Sequence, residues 1–154
     1  MEYRPVTVLD AQNISDMYTS LFWGDLNMSK GDIAPEIDLD LIVSYFNDGI
    51  LMGIVGEVDK EMKACYLAFR APYIFGKGMF ISNELLWFLH PSVRKEKDIL
   101  QNFINEIEKL NVAFDIDIIG LCMPYLGNKE RKSTKLIESG YIRQEVNYLK
   151  YLGE

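Results

Sequence analysis

The sequence has very few residues of the kinds that build metal sites and disulfides. It contains one histidine, His90, and two cysteines, Cys65 and Cys122, in 154 residues. A histidine pair or a His-Cys-Cys zinc cage is therefore excluded within one chain. Both cysteines stand among apolar residues, which favours small core side chains over a disulfide or a nucleophile. We expect no metal site.

Positive charge and long apolar runs are also scarce. The chain has 16 Lys and Arg against 23 Asp and Glu, for a formal net charge of -7. This balance argues against nucleic acid or an anionic membrane as the main partner. No apolar run approaches the roughly 20 residues of a membrane span, and residues 1–5 do not open a signal peptide. We expect a cytoplasmic protein with neither nucleic acid nor a membrane as partner.

Apolar residues are abundant, at 49%, with 12% aromatic. A chain of this length and composition can bury a core without disulfides or metals. It shows no repeats, low-complexity segments or linkers, so residues 1–154 are expected to form a single domain. The oligomeric state is left open by the sequence, a homodimer included.

Periodicity predicts the element order β-α-α-β-β-β-α-β-α-β(β), the last segment being one long or two short strands. The order predicts the α/β (α+β) class: a single mixed, mostly antiparallel, twisted sheet with helices on both faces. A parallel βαβ crossover is expected around residues 83–121. The predicted strands are residues 7–9, 50–58, 62–69, 85–90, 114–123 and 141–152, and the predicted helices are residues 11–22, from 38 or 40 to 46, 99–110 and 128–139.

The segment from residue 85 to residue 99 is predicted to form a strand, a loop and the start of a helix. Residues 85–90 show almost no alternation of polar and apolar side chains, which is typical of a strand covered on both faces. Pro91 removes a backbone donor and ends this strand. A basic loop follows, and an amphipathic helix then begins near Ile99. The N-terminus of a helix reached in this way leaves N–H groups that attract anions.

Three segments in this order resemble the GNAT superfamily of acyl-CoA-dependent N-acetyltransferases, in particular short, divergent members encoded by bacteriophages. Residues 89–94, Leu-His-Pro-Ser-Val-Arg, are similar to the family's strand end and Pro-x-x-Arg. Residues 128–141 resemble its Asn-led basic helix ending in Gly-Phe. Residues 147–150, Asn-Tyr-Leu-Lys, resemble its closing strand. A phage origin would place the protein in the host cytoplasm or in the virion.

The resemblance implies transfer of an acyl group from an acyl-CoA, acetyl-CoA foremost, to an amine of a small molecule or protein. The pantetheine arm would lie beside the backbone of the opening strand, and basic residues after it would hold the pyrophosphate. An asparagine at the start of the basic helix would line the same cleft. The implied cofactor-binding residues are Trp87, Phe88, Leu89, Arg94, Lys95, Lys97 and Asn128.

The resemblance also suggests catalytic groups. Glu84 is the first candidate for the general base, because it adjoins a wholly apolar run; Glu57 and His90 are the alternatives. Leu136 occupies the position at which many members carry the tyrosine acid, so Tyr125, from a neighbouring loop, is the candidate acid. The plain alternatives are an exposed glutamate at a strand end and an aromatic side chain at a cleft rim.

The chain departs from the family where phosphate would bind. Lys97 and Ile99 stand at the two glycine positions of the pyrophosphate loop, so side chains replace open backbone. Glu96 and Asp98 add negative charge; in a first helical turn they would instead stabilise the helix dipole. These departures support an alternative, a catalytically inactive GNAT fold used as a binding or virion-associated protein. Net charge alone would also fit an acidic decoy for basic host proteins.

Overall fold

The computed structural model describes residues 1–20, 38–121, 134 and 136–142. The strands are β1 (Glu2–Pro5), β2 (Leu51–Val58), β3 (Glu61–Pro72), β4 (Phe80–Leu89) and β5 (Ile118–Gly120), and the helices are α1 (Ala11–Ser20), α2 (Leu39–Asn47) and α3 (Ile99–Ala113). Val8–Asp10 is a 3-10 turn, and residues 136–138 are helical.

The strands form one sheet in the order β1-β2-β3-β4-β5. The first three pairings are antiparallel, and β4 pairs with β5 in parallel through the α3 crossover. The predicted class, a mixed and mostly antiparallel sheet, is therefore confirmed. The closing strand and the start of the last helix lie outside the described residues.

Each face of the sheet carries its own apolar core, because residues of β2, β3 and β4 alternate between the two. The α3 face packs α3 against Met52, Ile54, Ala64, Tyr66, Ala68 and Trp87, with Leu136 beside them. The α1 face packs Ile14 and Met17 of α1 against Leu51, Val55, Cys65, Leu67, Leu86 and Phe88, with α2 at its margin. Helices on both faces were predicted and are found.

Residues with positive φ form two of the turns in the described region. Asp59 and Lys60 both have positive φ and close the β2–β3 hairpin between the predicted strands 50–58 and 62–69. Gly140 has a φ of 90° and ends the last helix. Its N–H bonds Ile137 O at 2.9 Å, and the next N–H bonds Leu136 O at 3.0 Å. This double closure is the glycine C-terminal motif that the sequence predicted.

Two strand predictions were displaced. Residues 7–9 are not a strand: β1 lies earlier, because Arg4 pairs opposite Val55 of β2 while Val8–Asp10 turns into α1. The strand predicted from residue 114 begins later. Helix α3 continues to Ala113, a turn with Asp115 at a φ of 52° follows, and β5 begins only at Ile118. Both errors come from long-range pairing, which short apolar patterns do not report.

A charged cluster holds the N-terminal corner in place. The Arg4 guanidinium contacts Asp10 Oδ1 at 2.7 Å and Glu57 Oε1 at 2.6 Å. Asp10 is only 4% exposed and also accepts the Thr7 N–H at 2.8 Å. The cluster thereby ties β1 to β2 and to the turn that starts α1.

Replacing Asp10 with Asn is expected to lower the free energy of unfolding at pH 7 by about 1–3 kcal/mol, since charge-assisted hydrogen bonds are lost. The hydrogen bond from Arg4 lowers the pKa of the Asp10 carboxyl below 3.8. The Asp10 carboxylate therefore contributes its full stabilisation above the pKa that Asp10 has in the unfolded chain. This contribution is lost as the pH falls through the pKa that Asp10 has in the folded protein. Urea unfolding of wild type and Asp10→Asn should show a difference in unfolding free energy at pH 7 that becomes smaller as the pH is lowered toward about 3.

Asp59→Asn is the matched control, because Asp59 is an exposed turn residue whose positive φ suits Asn equally well. Its unfolding free energy should follow wild type at both pH values. A difference between Asp10→Asn and wild type that stays constant with pH would contradict the assigned role of the Asp10 charge.

Candidate active site

The middle of β4 contains a β-bulge. Along the β3–β4 ladder, Leu67 lies opposite Leu86 and Ala68 lies opposite Glu84, so Leu85 is an extra residue on β4. Leu85 is 46% exposed, whereas the next three residues are buried. A bulge bends its strand and re-aims the neighbouring side chain.

The bulge places Glu84 on the α3 face of the sheet. In a regular strand, side chains two apart share a face, so Glu84 would lie with Leu86 and Phe88 on the α1 face. Because Leu85 is inserted, Glu84 is instead opposite Ala68, which belongs to the α3 face. The candidate base is therefore half-buried beside the α3 core.

A small polar cluster lies close to Glu84 inside that core. The hydroxyls of Tyr66 and Ser82 are hydrogen-bonded at 3.3 Å, and both residues are fully buried. Burial raises the pKa of the Tyr66 phenol, hydrogen bonding with Ser82 and Asn111 opposes this, and the Glu84 charge raises the pKa further. Sequence reasoning missed these residues, since nothing in an apolar strand or helix marks which polar side chains meet.

The pairing of β4 with β5 lies before the bulge, at the start of β4. Parallel pairing joins Ile81–Asn83 to Ile118–Gly120. The edge of a strand can present backbone N–H and C=O groups to a ligand that adds like a further strand. Trp87, Phe88 and Leu89, the predicted pantetheine contacts, all lie on β4 after the bulge.

The loop after β4 is braced by Arg94. Its Nε donates to Leu89 O at 2.6 Å, and its guanidinium carbon lies 5.3 Å from the centroid of the Phe88 ring. His90 Nδ1 accepts the Ser92 N–H at 3.2 Å and is 2.8 Å from the Ser92 hydroxyl. His90 therefore caps the strand end through Ser92.

The N-terminus of α3 follows this loop directly. The helix begins at Ile99 after Asp98, whose φ is 60° and whose side chain makes no capping bond. Glu96 and Asp98 thus precede the helix, and the expectation that they occupy its first turn was wrong. The first helical N–H groups have no intrahelical acceptors and remain available to an anion.

The two side chains at the family's glycine positions behave differently. Ile99 is 6% exposed and packs into the protein, so it does not fill the space in front of the loop. Lys97 is exposed, as is Lys95. The tight turn is made at Asp98, a residue type that adopts positive φ more readily than most. Only Lys97 therefore presents a side chain to solvent at a position where the family has open backbone.

The remaining candidates lie elsewhere. Glu57 is paired with Arg4 on the α1 face and is held away from the β4 edge. Tyr125 and Asn128 lie outside the described residues. A cleft of about 360 Å³ occurs on the α1 face beside Met17, Met62, Phe88 and His90. In the described ranges, no group of three or more His, Cys, Asp or Glu is placed to hold a metal ion, and no helix is long and apolar enough to cross a membrane.

The order of elements, the bulged β4 and its crossover to β5 form a mixed, mostly antiparallel sheet that matches the fold of acetyltransferases of known structure. No protein-family model matches the sequence, and no curated protein matches it. Solved structures do match over nearly the whole chain, and several of them are acetyltransferases.

Three of these structures illustrate the likeness. An aminoglycoside acetyltransferase from an uncultured soil metagenomic sample, in complex with sisomicin, matches with a TM-score of 0.74 and 9% identity, covering 99% of this chain and 96% of that one. A predicted acetyltransferase from Clostridium acetobutylicum, with acetyl-CoA, has a TM-score of 0.68 and 14% identity, covering 97% and 94%. A ribosomal-protein-alanine N-acetyltransferase from Brucella melitensis biovar Abortus 2308 has a TM-score of 0.68 and 11% identity, covering 99% and 100%. At these identities the likeness concerns the fold.

Proposed function

We propose that this protein is an N-acyltransferase that takes an acyl group from acetyl-CoA, or another acyl-CoA, and transfers it to an amine. One observation carries the proposal: the bulged β4 runs directly into a basic turn that Arg94 braces, and then into α3, whose N-cap side chain makes no capping bond. This gives one continuous path with strand-like hydrogen-bonding groups at one end and anion-binding groups at the other. An acyl-CoA has the same two parts, an amide-containing arm and a pyrophosphate.

Different residues along that path would bind different parts of the acyl-CoA. The pantetheine arm would lie against the backbone of Trp87–Leu89, where two amide groups can pair with a strand edge. Lys95, Lys97 and the N–H groups at the start of α3 would hold the pyrophosphate. Arg94 would keep the turn in place through Leu89 O and add positive charge beside it. Asn128 is proposed as a further contact.

Transfer requires a neutral amine and a protonated leaving thiol. The amine nitrogen attacks the thioester carbonyl, a C–N bond forms and the C–S bond breaks. Glu84 would take the proton that the amine loses, directly or through one water. Tyr125 is proposed to give a proton to the CoA thiolate. The acceptors are proposed to be amines of a small molecule or protein, the class to which the aminoglycoside in one related structure belongs.

Replacing Lys95 and Lys97 together with Gln is expected to weaken acetyl-CoA binding by roughly tenfold, since two cations near a pyrophosphate are removed. Binding of S-acetylpantetheine, which lacks the pyrophosphate, should be unchanged. Isothermal titration of both ligands measures this. Lys109→Gln, at an exposed position of α3 paired with Glu106, is the control and should bind acetyl-CoA as wild type does.

A second candidate is an inactive GNAT fold that serves as a binding or virion-associated protein. Lys97 favours it, because a side chain stands where open backbone would approach the phosphates. Binding measurements separate the two candidates: absence of heat and of a thermal shift with millimolar acetyl-CoA would refute the transferase. CoA found by mass spectrometry in the native purified protein would refute the inactive form.

A further inference from the structure

The cleft on the α1 face has the size and the apolar wall of a small-molecule site. Its volume of about 360 Å³ lies within the range of roughly 300–1,000 Å³ in which such sites are found. The apolar part of its wall consists of Met17, Met62 and Phe88, which are buried or partly buried. Methionine sulfur atoms make favourable contacts with aromatic rings. This wall therefore suits an aromatic group.

The α1 side of the cleft offers hydrogen-bond acceptors. Asn13 and Asp16 both line the cleft, and their spacing places them on the same face of α1 as Met17. Asp16 Oδ1 accepts from Gln12 Nε2 at 2.9 Å. Because a carboxylate accepts at both oxygens, Asp16 keeps capacity for a second donor. This side of the cleft can hold an ammonium group.

The sheet side of the cleft offers donors instead. Lys60, in the β2–β3 turn, brings an ammonium group. His90 Nδ1 accepts the Ser92 N–H at 3.2 Å, so the proton of the neutral ring is on Nε2, which can donate to a ligand. An ammonium group and an imidazole N–H together can bind a carboxylate.

The remaining charged residue of the rim is already paired. Glu61 contacts Lys63 Nζ at 2.6 Å, so its charge is compensated within the hairpin. Among the described residues that line the cleft, this leaves one anion, Asp16, and one cation, Lys60, without an ion-pair partner. One charge of each sign beside an apolar wall complements a zwitterion better than it complements a simple cation or anion.

We propose that this cleft binds a free α-amino acid with an aromatic side chain. Its ammonium group would contact Asp16 and Asn13, and its carboxylate would contact Lys60 and His90. Its ring would pack on Phe88 and the two methionines.

This site is separate from the proposed reaction. Phe88 lies on the α1 face of the sheet, whereas the bulge places Glu84 on the α3 face. The sheet therefore separates an amine in the cleft from the candidate base, so the amino acid is not the acceptor. Binding in the cleft does not depend on acyl transfer, and a test of binding remains valid if the protein is not a transferase.

Isothermal titration of the full chain with L-phenylalanine tests the site, with a dissociation constant on the order of 0.1–1 mM expected for a ligand of this size. Three ligands that each lack one part should bind about tenfold or more weakly. Phenethylamine lacks the carboxylate, 3-phenylpropionate lacks the ammonium group, and L-alanine lacks the ring.

Two variants assign the charges. Lys60→Gln should weaken binding of L-phenylalanine by about tenfold and leave that of phenethylamine unchanged, since phenethylamine has no carboxylate. Asp16→Asn should weaken binding of L-phenylalanine by a similar factor and leave that of 3-phenylpropionate unchanged. Lys77→Gln and Asp115→Asn, at exposed positions away from the cleft, are the matched controls and should bind L-phenylalanine as wild type does. Thermal melts of all four variants should match wild type, because the replaced side chains are exposed.

Several results would overturn the proposal. Absence of heat with 10 mM L-phenylalanine, well above the expected constant of about 0.1–1 mM, would exclude the site. Equal affinity for L-phenylalanine and phenethylamine, with no effect of Lys60→Gln, would make the cleft a site for cations and not for zwitterions. Amide chemical-shift changes on adding L-phenylalanine that cluster around Glu84, and not around Asp16 and His90, would place the ligand on the other face.

Discussion

Replacing Glu84 with Gln is expected to lower kcat for acetyl transfer by about 10²- to 10⁴-fold, the usual worth of a general base. The KM for acetyl-CoA should change little, because Glu84 lies beyond the strand edge proposed to bind the pantetheine arm. Steady-state kinetics with a small primary amine, followed by release of CoA thiol, measures both effects.

Two variants make this result specific to the position of Glu84. Glu84→Asp keeps the carboxylate but withdraws it, so its rate should lie between those of wild type and Glu84→Gln. Glu61→Gln, an exposed carboxylate paired with Lys63 in the β2–β3 hairpin, should keep the wild-type rate. A Glu84→Gln variant with unchanged kcat would exclude Glu84 as the general base, even if acetyl-CoA binds as proposed.

Replacing Phe103 with Ala is expected to lower the free energy of unfolding by about 3–5 kcal/mol, the range observed when a buried aromatic ring is removed and a cavity is left in its place. Phe103 is fully buried on α3 and stacks between two rings, with centroids 5.9 Å from Tyr3 and 6.4 Å from Trp87. Its loss therefore removes contacts from β1, β4 and α3 together. Urea unfolding at pH 7 measures the change, and the Tm should fall by roughly 10 °C.

Val112→Ala on the same helix is the control. Val112 is 74% exposed, so its truncation should stay within about 0.5 kcal/mol of wild type. If Phe103→Ala cost less than about 1 kcal/mol, the site would have collapsed around the smaller side chain and the ring stack would contribute little to stability.

The pattern of residues 85–90 predicted a buried strand, and this holds for Leu86–Phe88 because their neighbours on both faces are apolar. The same pattern did not reveal the bulge, because an extra residue leaves no signature in a run without alternation. It therefore assigned no face to Glu84. That assignment depends on register, which is set by pairing with β3 and not by β4 itself.

The loop after β4 was also only partly predictable. Pro91 and Arg94 indicated the strand end and the turn, and both act locally. The orientation of Ile99 was not predictable from the glycine pattern of the family, because it depends on the core that α3 enters. A side chain that seemed to block the loop is instead buried.

The sequence by itself determined the order of elements, the mixed sheet with helices on both faces, the hairpin turn at Asp59 and the glycine cap at Gly140. Each of these follows from periodicity or backbone preference over a few residues. Tertiary structure alone decided the position of β1, the face on which Glu84 lies, the cluster of Tyr66 with Ser82, and the cleft on the α1 face. These depend on contacts between residues far apart in the chain, whose register and packing no local pattern encodes.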